Sequence, residues 1–530
     1  MNLRDKAGHY ARYSRGVAEY LRSPVEHDWR ERLRSQLANR EASWLATVRL
    51  GVFARPESPF ARMFALAGIG YPDLAGAVER DGLEAALEQV RQAGVYLTHE
   101  EYKGHVPIVR SGREIAADQA SFANPAAGGG IASVSSGSSG TSVSVRKPVE
   151  ARLHKHVYAW LEMREFGLDS SAMTVLKPIL PASSGLTGCI RALRMGCRVE
   201  RWFAPGGRAG DSVHYRALTS ALVTQARLSG VRIPYPEHLA PNDFLQPARW
   251  LAKRRSEGER CAVRAFVSPA VRTVQAALDA GLDIRGTRFL VGGEALTEAK
   301  RRLIESAGCE VFPRYVISEI GAIGYACSRM RAGNSVHLCH DSVAVVGWRR
   351  LAPLSQVEVN ALLFTPLLPS APQILINVEM GDAGSLIHDA HCDCAFAQAG
   401  LPRRIEHIAS YSKLTGLGVT LTGTEVVPIL ESILPAQCGG GPADYQLVER
   451  EGRGQTELTL RVSPRVPEPD LNRVRQVFLR ALEERYGGAL ASRVWRHAGA
   501  FHTVRAEPET TPAGKVLSLH LLKGSAEGDA

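Results

Sequence analysis

The chain has 530 residues, 45% of them apolar and 22% charged. A single core stops growing near ~250–300 residues, so two to four domains are expected, and the balance is globular rather than disordered. Lys and Arg number 64 against 54 Asp and Glu, a net charge of +10 that favours anionic partners. No basic stripe carries interleaved aromatics, so nucleic acid is not an expected partner. No stretch approaches ~18 uninterrupted apolar residues, which argues against a membrane span. The opening MNLRDKAGHYARYSRG has no apolar run after its charges, so no secretory leader is expected. Nine scattered cysteines argue against a disulfide framework and for a reducing, cytoplasmic setting.

Residues 1–115 read as a helical region. In DGLEAALEQVRQAG, Leu83, Ala86, Leu87 and Val90 recur at the spacing of one buried helix face. This region carries no assignable chemistry; it caps the large domain or forms a homodimer contact. Segment 124–145, NPAAGGGIASVSSGSSGTSVSV, reads as a Gly/Ser turn within a folded domain, with a flexible linker as the plain alternative.

From residue 151 to about 400, helical and strand-like runs alternate. RTVQAALDAGLDIRG predicts a helix ending at Gly281, TRFLVGGE a strand and turn, TEAKRRLIESAG a helix, and CEVFPRYVISEIG a strand and turn. Such alternation implies an α/β fold with much parallel pairing. Ligands bind beyond the carboxyl ends of such strands, where 292–294 and 318–321 would lie. The character changes after residue 408, with a boundary at 409–414. TEVVPILESIL begins a helix, and YQLVEREGRGQTELTLRVS predicts a hairpin. PDLNRVRQVFLRALEERYG predicts an amphipathic helix that buries Leu471, Val474, Val477, Phe478, Ala481 and Leu482. Together these make a small α+β C-terminal domain, 415–530, after a core domain, 116–408.

Ser135, Ser136, Gly137, Ser138, Ser139, Gly140 and Thr141 form a loop whose N–H groups and hydroxyls can cradle phosphate. It is not a Walker A loop. Four features follow in order: Gly292-Gly293-Glu294, Tyr315-Val316-Ile317-Ser318-Glu319, Gly381-Asp382 and Gly514-Lys515-Val516. Singly, Glu319 reads as a helix-capping acid, Asp382 as a turn residue and Lys515 as a solvated charge. Ser183-Ser184-Gly185 reads as a turn near the acceptor or substrate cleft.

Together and in order, these motifs resemble the adenylate-forming (ANL) superfamily, most closely phenylacetate–CoA ligases and coenzyme F390 synthetase, over roughly residues 120–520. The most specific stretch runs from SPAVRTVQ to YVISEIG. The resemblance implies a large composite adenylation domain with parallel and mixed sheets, a hinge at 409–414 and a small mobile lid. It implies ATP-dependent activation of a carboxylic acid, aromatic by class, as acyl-AMP. Transfer to the thiol of CoA or of phosphopantetheine on an acyl or peptidyl carrier protein would follow. Ser135 to Thr141 would hold the β- and γ-phosphates, Glu319 would bind Mg²⁺, and Ser318 would lie near the α-phosphate. Gly293 and Glu294 would border the nucleotide, Tyr315 would stack on adenine, and Asp382 would accept from the ribose hydroxyls. Lys515 would bridge the carboxylate and the α-phosphate.

Some relatives of this type carry a Cys, His, Cys-x-Cys zinc at matching places. Cys327, His337, Cys392 and Cys394 would complete such a site, with Cys339 and His340 as competing ligands and plain reduced cysteines as the other reading. The chain also departs from the family. Thr141 and Ser142 replace a Lys and a Pro, Val316 replaces a Gly, and Ile408-Ala409-Ser410-Tyr411 replaces Gly-Arg-x-Asp, with Lys413 as a candidate hinge residue. These departures leave two alternatives beside the ligase: an adenylating enzyme with an amine or other non-thiol acceptor, and a non-catalytic nucleotide-binding scaffold.

Overall fold

Apolar runs that are buried on both faces become the centre of one large sheet. The computed structural model describes residues 3–25, 28–127, 130–134, 144–205, 213–240, 243–330, 333–352, 358–388, 391–411, 413–414, 421–452, 455–467, 469–484, 501–511 and 515–523. The sheet has twelve strands: β1 (Ala172–Leu176), β2 (Arg198–Ala204), β3 (Pro236–His238), β4 (Cys261–Phe266), β5 (Arg288–Gly292), β6 (Glu310–Ile317), β7 (Gly321–Tyr325), β8 (Val336–Leu338), β9 (Val343–Leu351), β10 (Glu358–Pro366), β11 (Val378–Ile387) and β12 (Arg404–Ser410). Their spatial order is β9-β10-β11-β12-β8-β7-β6-β5-β4-β1-β2-β3.

The half from β3 to β6 is parallel throughout, and the half from β6 to β9 is antiparallel. The fold is therefore mixed α/β. Every residue of β1 and β4 is buried, as parallel strands under helices must be. The covering helices include α1 (Leu3–Arg22), α2 (Trp29–Val48), α3 (Val149–Phe166), α4 (Ser184–Arg194), α5 (Val267–Asp279) and α6 (Glu298–Ser306). On α5, Val267, Val271 and Val274 are buried, and the chain leaves the helix through Gly281 at φ +62°, where the sequence places its end.

The first 122 residues contribute to two cores shared with the sheet. Tyr13, Val17 and Tyr20 join the core around β1, and Trp44 through Phe122 pack on the antiparallel half. Leu83, Ala86, Leu87 and Val90 are all buried, as their spacing predicts. The Gly/Ser segment is flanked by two paired antiparallel strands, Gly130–Val134 and Ser144–Pro148, while Ser135 to Thr141 lie outside the described residues.

The C-terminal unit has its own core, from Val426 through Phe501. Its sheet joins β13 (Tyr445–Gly452), β14 (Gln455–Val462), β15 (Phe501–Arg505) and β16 (Leu519–Lys523) in the order β15-β14-β13-β16. β13 and β14 form the expected hairpin. The following helix, α7 (Leu471–Glu483), buries Val474, Val477, Phe478, Ala481 and Leu482, with Leu471 at its edge. No described helix is long and apolar enough to cross a membrane.

Candidate active site

The site assembles where the parallel strands end. β5 finishes in Gly292 and Gly293. Gly293 has φ +79°, and a Cβ there would meet Phe266 at 2.9 Å and the Lys515 Nζ at 3.2 Å, so no side chain fits. Its carbonyl accepts a hydrogen bond of 2.7 Å from Lys515 Nζ. Thus Lys515 is seated, from the C-terminal unit, on the Gly-Gly turn of the large domain. Glu294 stands behind that contact. Its carboxylate accepts from Ser268 Oγ at 3.0 Å and Ser268 N at 3.2 Å, and Ser268 Oγ accepts from Val516 N at 2.9 Å. Burial pushes Glu294 above the usual carboxylate range, against the pull of Lys300 and Lys515. Burial pushes Lys515 down, and Glu294 pulls it back.

On β6, side chains alternate between two faces. Arg314 and Val316 face a cavity, while Tyr315 faces β11. Tyr315 donates to Asp382 Oδ2 at 2.6 Å, so the expected adenine platform and ribose acid are neighbours. Burial raises Asp382 to about 6, against the hydrogen bond from Tyr315. Glu319 is buried and does not cap a helix; it lies in the turn between β6 and β7. Lys103 Nζ is 3.2 Å from its Oε1. Its other oxygen has no hydrogen-bond partner among the described residues.

Ser318 and Lys515 both line a cavity of about 240 Å³. Ser183 and Ser184, at the start of α4, also line it, as do the rings of Tyr158, Phe266 and Tyr325. Its cations are Arg152, Lys155, Lys177, Arg191, Arg314 and Lys515, and no described Asp or Glu lines it. Arg314 grips Glu162 through Nε and Nη2. Lys177 Nζ and Lys515 Nζ lie 5.0 and 4.9 Å from the centroid of the same Phe266 ring. Burial lowers Lys177 to about 7, and Arg314, Arg191, Arg264 and Lys515 push it the same way. Beside the cavity, Asp341 accepts from Tyr158 Oη at 2.8 Å and bonds His154 Nε2 at 2.8 Å.

Cys327, His337, Cys392 and Cys394 converge with all ligand atoms within 4.8 Å of one another. The Cys327 and Cys392 sulfurs are 3.8 Å apart. That matches the edge of a tetrahedron with Zn–S bonds of about 2.3 Å, roughly 3.8 Å. His337 Nδ1 bonds the Leu401 carbonyl at 2.8 Å, which aims Nε2 at Cys394 Sγ, 3.1 Å away. Cys339 and His340, the competing ligands, lie outside this group. The donor set fits a closed structural zinc.

Of the residues expected in one site, Lys515, Gly293 and Glu294 form one cluster, Ser318 lines the same cavity as Lys515, Tyr315 pairs with Asp382, and Glu319 follows Ser318 in the turn after β6, while Ser135 to Thr141 lie outside the described residues. Sequence reasoning missed Lys103, Phe266, Lys177, Arg191 and Arg314. Only Lys177, six residues before Ser183, carried a positional signal, because it opens the loop that leads to that turn.

No family model matches the chain, and no curated protein matches it in sequence. Among solved structures, it is similar to 2-hydroxyisobutyryl-CoA ligase in complex with 2-HIB-AMP and CoA. That likeness has 15% identity and a TM-score of 0.46, covering 94% of this chain and 88% of that one. It is similar to O-succinylbenzoate coenzyme A synthetase from Bacillus subtilis in complex with ATP and magnesium, at 13% identity and TM-score 0.42, covering 85% of this chain and 86% of that one. A third is an anthranilate CoA ligase in complex with anthranoyl-AMP, at 12% identity and TM-score 0.40, covering 73% and 65%.

Proposed function

We propose that this chain is an ATP-dependent acid-adenylating enzyme that passes its acyl group to a thiol. The observation that carries the reading is the seat of Lys515 on Gly293, at a cavity that also holds Ser318 and beside the Tyr315–Asp382 pair. A substrate carboxylate oxygen attacks the α-phosphorus of ATP, the bond to the bridging oxygen breaks, and pyrophosphate leaves. Such a step needs positioning and charge neutralisation more than covalent catalysis. Lys515 supplies a compact cation where the attacking and equatorial oxygens meet. Asp382 takes the ribose hydroxyls, releasing Tyr315 to pack on the base. Glu319 would hold Mg²⁺ through its second oxygen, and Ser135 to Thr141 would hold the terminal phosphates. Gly293 and Glu294 keep Lys515 in register.

The acid is aromatic, in keeping with the Tyr158, Phe266 and Tyr325 rings around the cavity. In the second step a thiol of CoA or of carrier-protein phosphopantetheine attacks the acyl carbonyl and AMP leaves. Residues 415–530 serve as a mobile lid about a hinge at 409–414. The setting is cytoplasmic.

Acid-dependent exchange of labelled pyrophosphate into ATP tests the first step. A broad acid panel that supports no exchange rejects it. Product analysis with CoA, carrier protein and amines then assigns the acceptor. An amine product is the second reading, favoured by Ile408 to Tyr411 standing where the family has its hinge arginine. Tight ATP binding without turnover would favour the scaffold reading, for which the Lys103–Glu319 pair is the relevant observation.

Cys327, His337, Cys392 and Cys394 would hold a structural zinc that staples the segments after β7 and before β12 to β8. About one zinc per chain is expected in metal analysis of purified protein, with loss of metal and a lower Tm for Cys394→Ser. Far less than one zinc per chain in the unmodified protein rejects the site.

A further inference from the structure

The cavity holds more positive charge than one carboxylate answers. Six cations line it and no described carboxylate does. Arg314 is answered by Glu162, and Lys515 is held by Gly293 and drawn by Glu294. Lys177 and Arg191 differ: neither forms an ion pair with a carboxylate among the described residues. Lys177 faces the Phe266 ring that it shares with Lys515. Arg191 stands on α4, one turn beyond Thr187, on the wall built by α3 and α4. A monoanionic acid, bound by Lys515 through its only charge, would seal these cations away from water without a partner, and an unpaired buried charge is costly.

We infer that the acid taken by this cavity carries a second anionic group, received on the α3–α4 wall by Arg191 together with Lys177. The inference rests on the adenylation reading for the role of Lys515, and it assigns the substrate class. One carboxylate reacts; the other anion is a recognition group that stays intact. The guanidinium fork of Arg191 suits a planar carboxylate in two-point contact and also meets phosphonate or sulfonate oxygens.

The test uses the full chain and acids of matched shape: 3-methylbenzoate against benzene-1,3-dicarboxylate, 3-phosphonobenzoate and 3-sulfobenzoate. At least one doubly charged acid should exceed 3-methylbenzoate by about tenfold or more in kcat/KM for pyrophosphate exchange, the scale of one charge-assisted hydrogen bond. Which acid leads identifies the anion. Arg191→Met should bring that ratio close to one, and Arg191→Lys should restore part of it, which separates recognition from a folding defect. Three results overturn the inference: 3-methylbenzoate equalling the charged acids, Arg191→Met depressing all acids alike, or Arg191→Met acting only through KM for ATP. If no acid supports exchange, calorimetry with the same acids separates the two readings. Binding of a doubly charged acid that Arg191→Met abolishes keeps this inference and rejects adenylation; no binding rejects the inference itself.

Discussion

At the end of the site formed by Tyr315, Glu319 and Asp382, each polar group already has a protein partner. Tyr315 is bonded to Asp382, and Glu319 is paired with Lys103. In the adjoining cavity the reverse holds, because Lys177 and Arg191 have like charges for neighbours and no carboxylate lines the wall. The first end is organised before anything enters, and an incoming group must share or replace an existing contact. The second end is left to be completed by what enters. Adjacent patches of one sheet edge thus solve burial of charge in opposite ways: one by internal pairing, the other by deferring the pairing to a ligand.

The sharpest way to break this contrast is Lys103→Met. It strips Glu319 of its partner while the carboxylate stays buried, which costs about 3–5 kcal/mol of stability. Denaturant unfolding should show this loss, and MgATP should recover part of it; a cost below about 1 kcal/mol would mean the pair is solvated and the contrast overstated. Next is Lys515→Ala, which removes the cation where the two ends meet. Exchange should fall by roughly a hundredfold to a thousandfold, the usual scale for one preorganised charge-stabilising donor. Wild-type exchange by this variant would detach the cavity from the chemistry.

A third effect is one of pH. Asp382 is raised to about 6 in the fold, above its ordinary value of 3.8, so the folded state holds its proton more tightly. Its contribution to stability is present at acid pH and is lost as pH rises from about 4 to about 6. The loss amounts to roughly 2–3 kcal/mol. Asp382→Asn should flatten that slope in pH-resolved unfolding. The smallest effect is Tyr315→Phe, which keeps the ring and deletes one hydrogen bond. It should cost about 1 kcal/mol and move the Asp382 titration upward in NMR, since the Tyr315 hydroxyl is the largest of the groups that hold it down, ahead of His99 and Ser410.

Much of this was legible beforehand, for a physical reason. Parallel strands carry a short apolar run buried at its middle, so Arg288–Gly292 and Glu310–Ile317 announce themselves, and the turns just past them announce the site. Lys515 was legible only as the last of the ordered motifs that carry the resemblance, since alone it reads as a solvated charge. The pairing of Lys103 with Glu319 was not: it closes over 216 residues, from a region whose sequence shows only a helix face. The cavity cations were hidden for another reason. Arginine on a surface helix and arginine on a cavity wall have the same spacing in sequence. Only α3 packing beside α4 distinguishes Arg191 from a solvated charge. The zinc ligands fall between these cases: Cys392 and Cys394 stood out as a pair, but three dimensions were needed to choose His337 over His340.

Glu431 has a consequence for timing. Its carboxylate bonds Thr297 and Ser518 and lies 2.9 Å from Lys300 Nζ, with both charged side chains buried. Thr297 and Lys300 belong to the start of α6; Ser518 lies three residues beyond Lys515. This acid is thus one of several polar ties that hold Lys515 at its post, beside the Val516–Ser268 bond and the Arg465–Asp279 pair. A buried polar tie of this kind is released by water reaching it more than by salt, which screens buried pairs little. Docking and release then exchange this buried network for water, so the strength of the Glu431 contacts weighs on the interval between them.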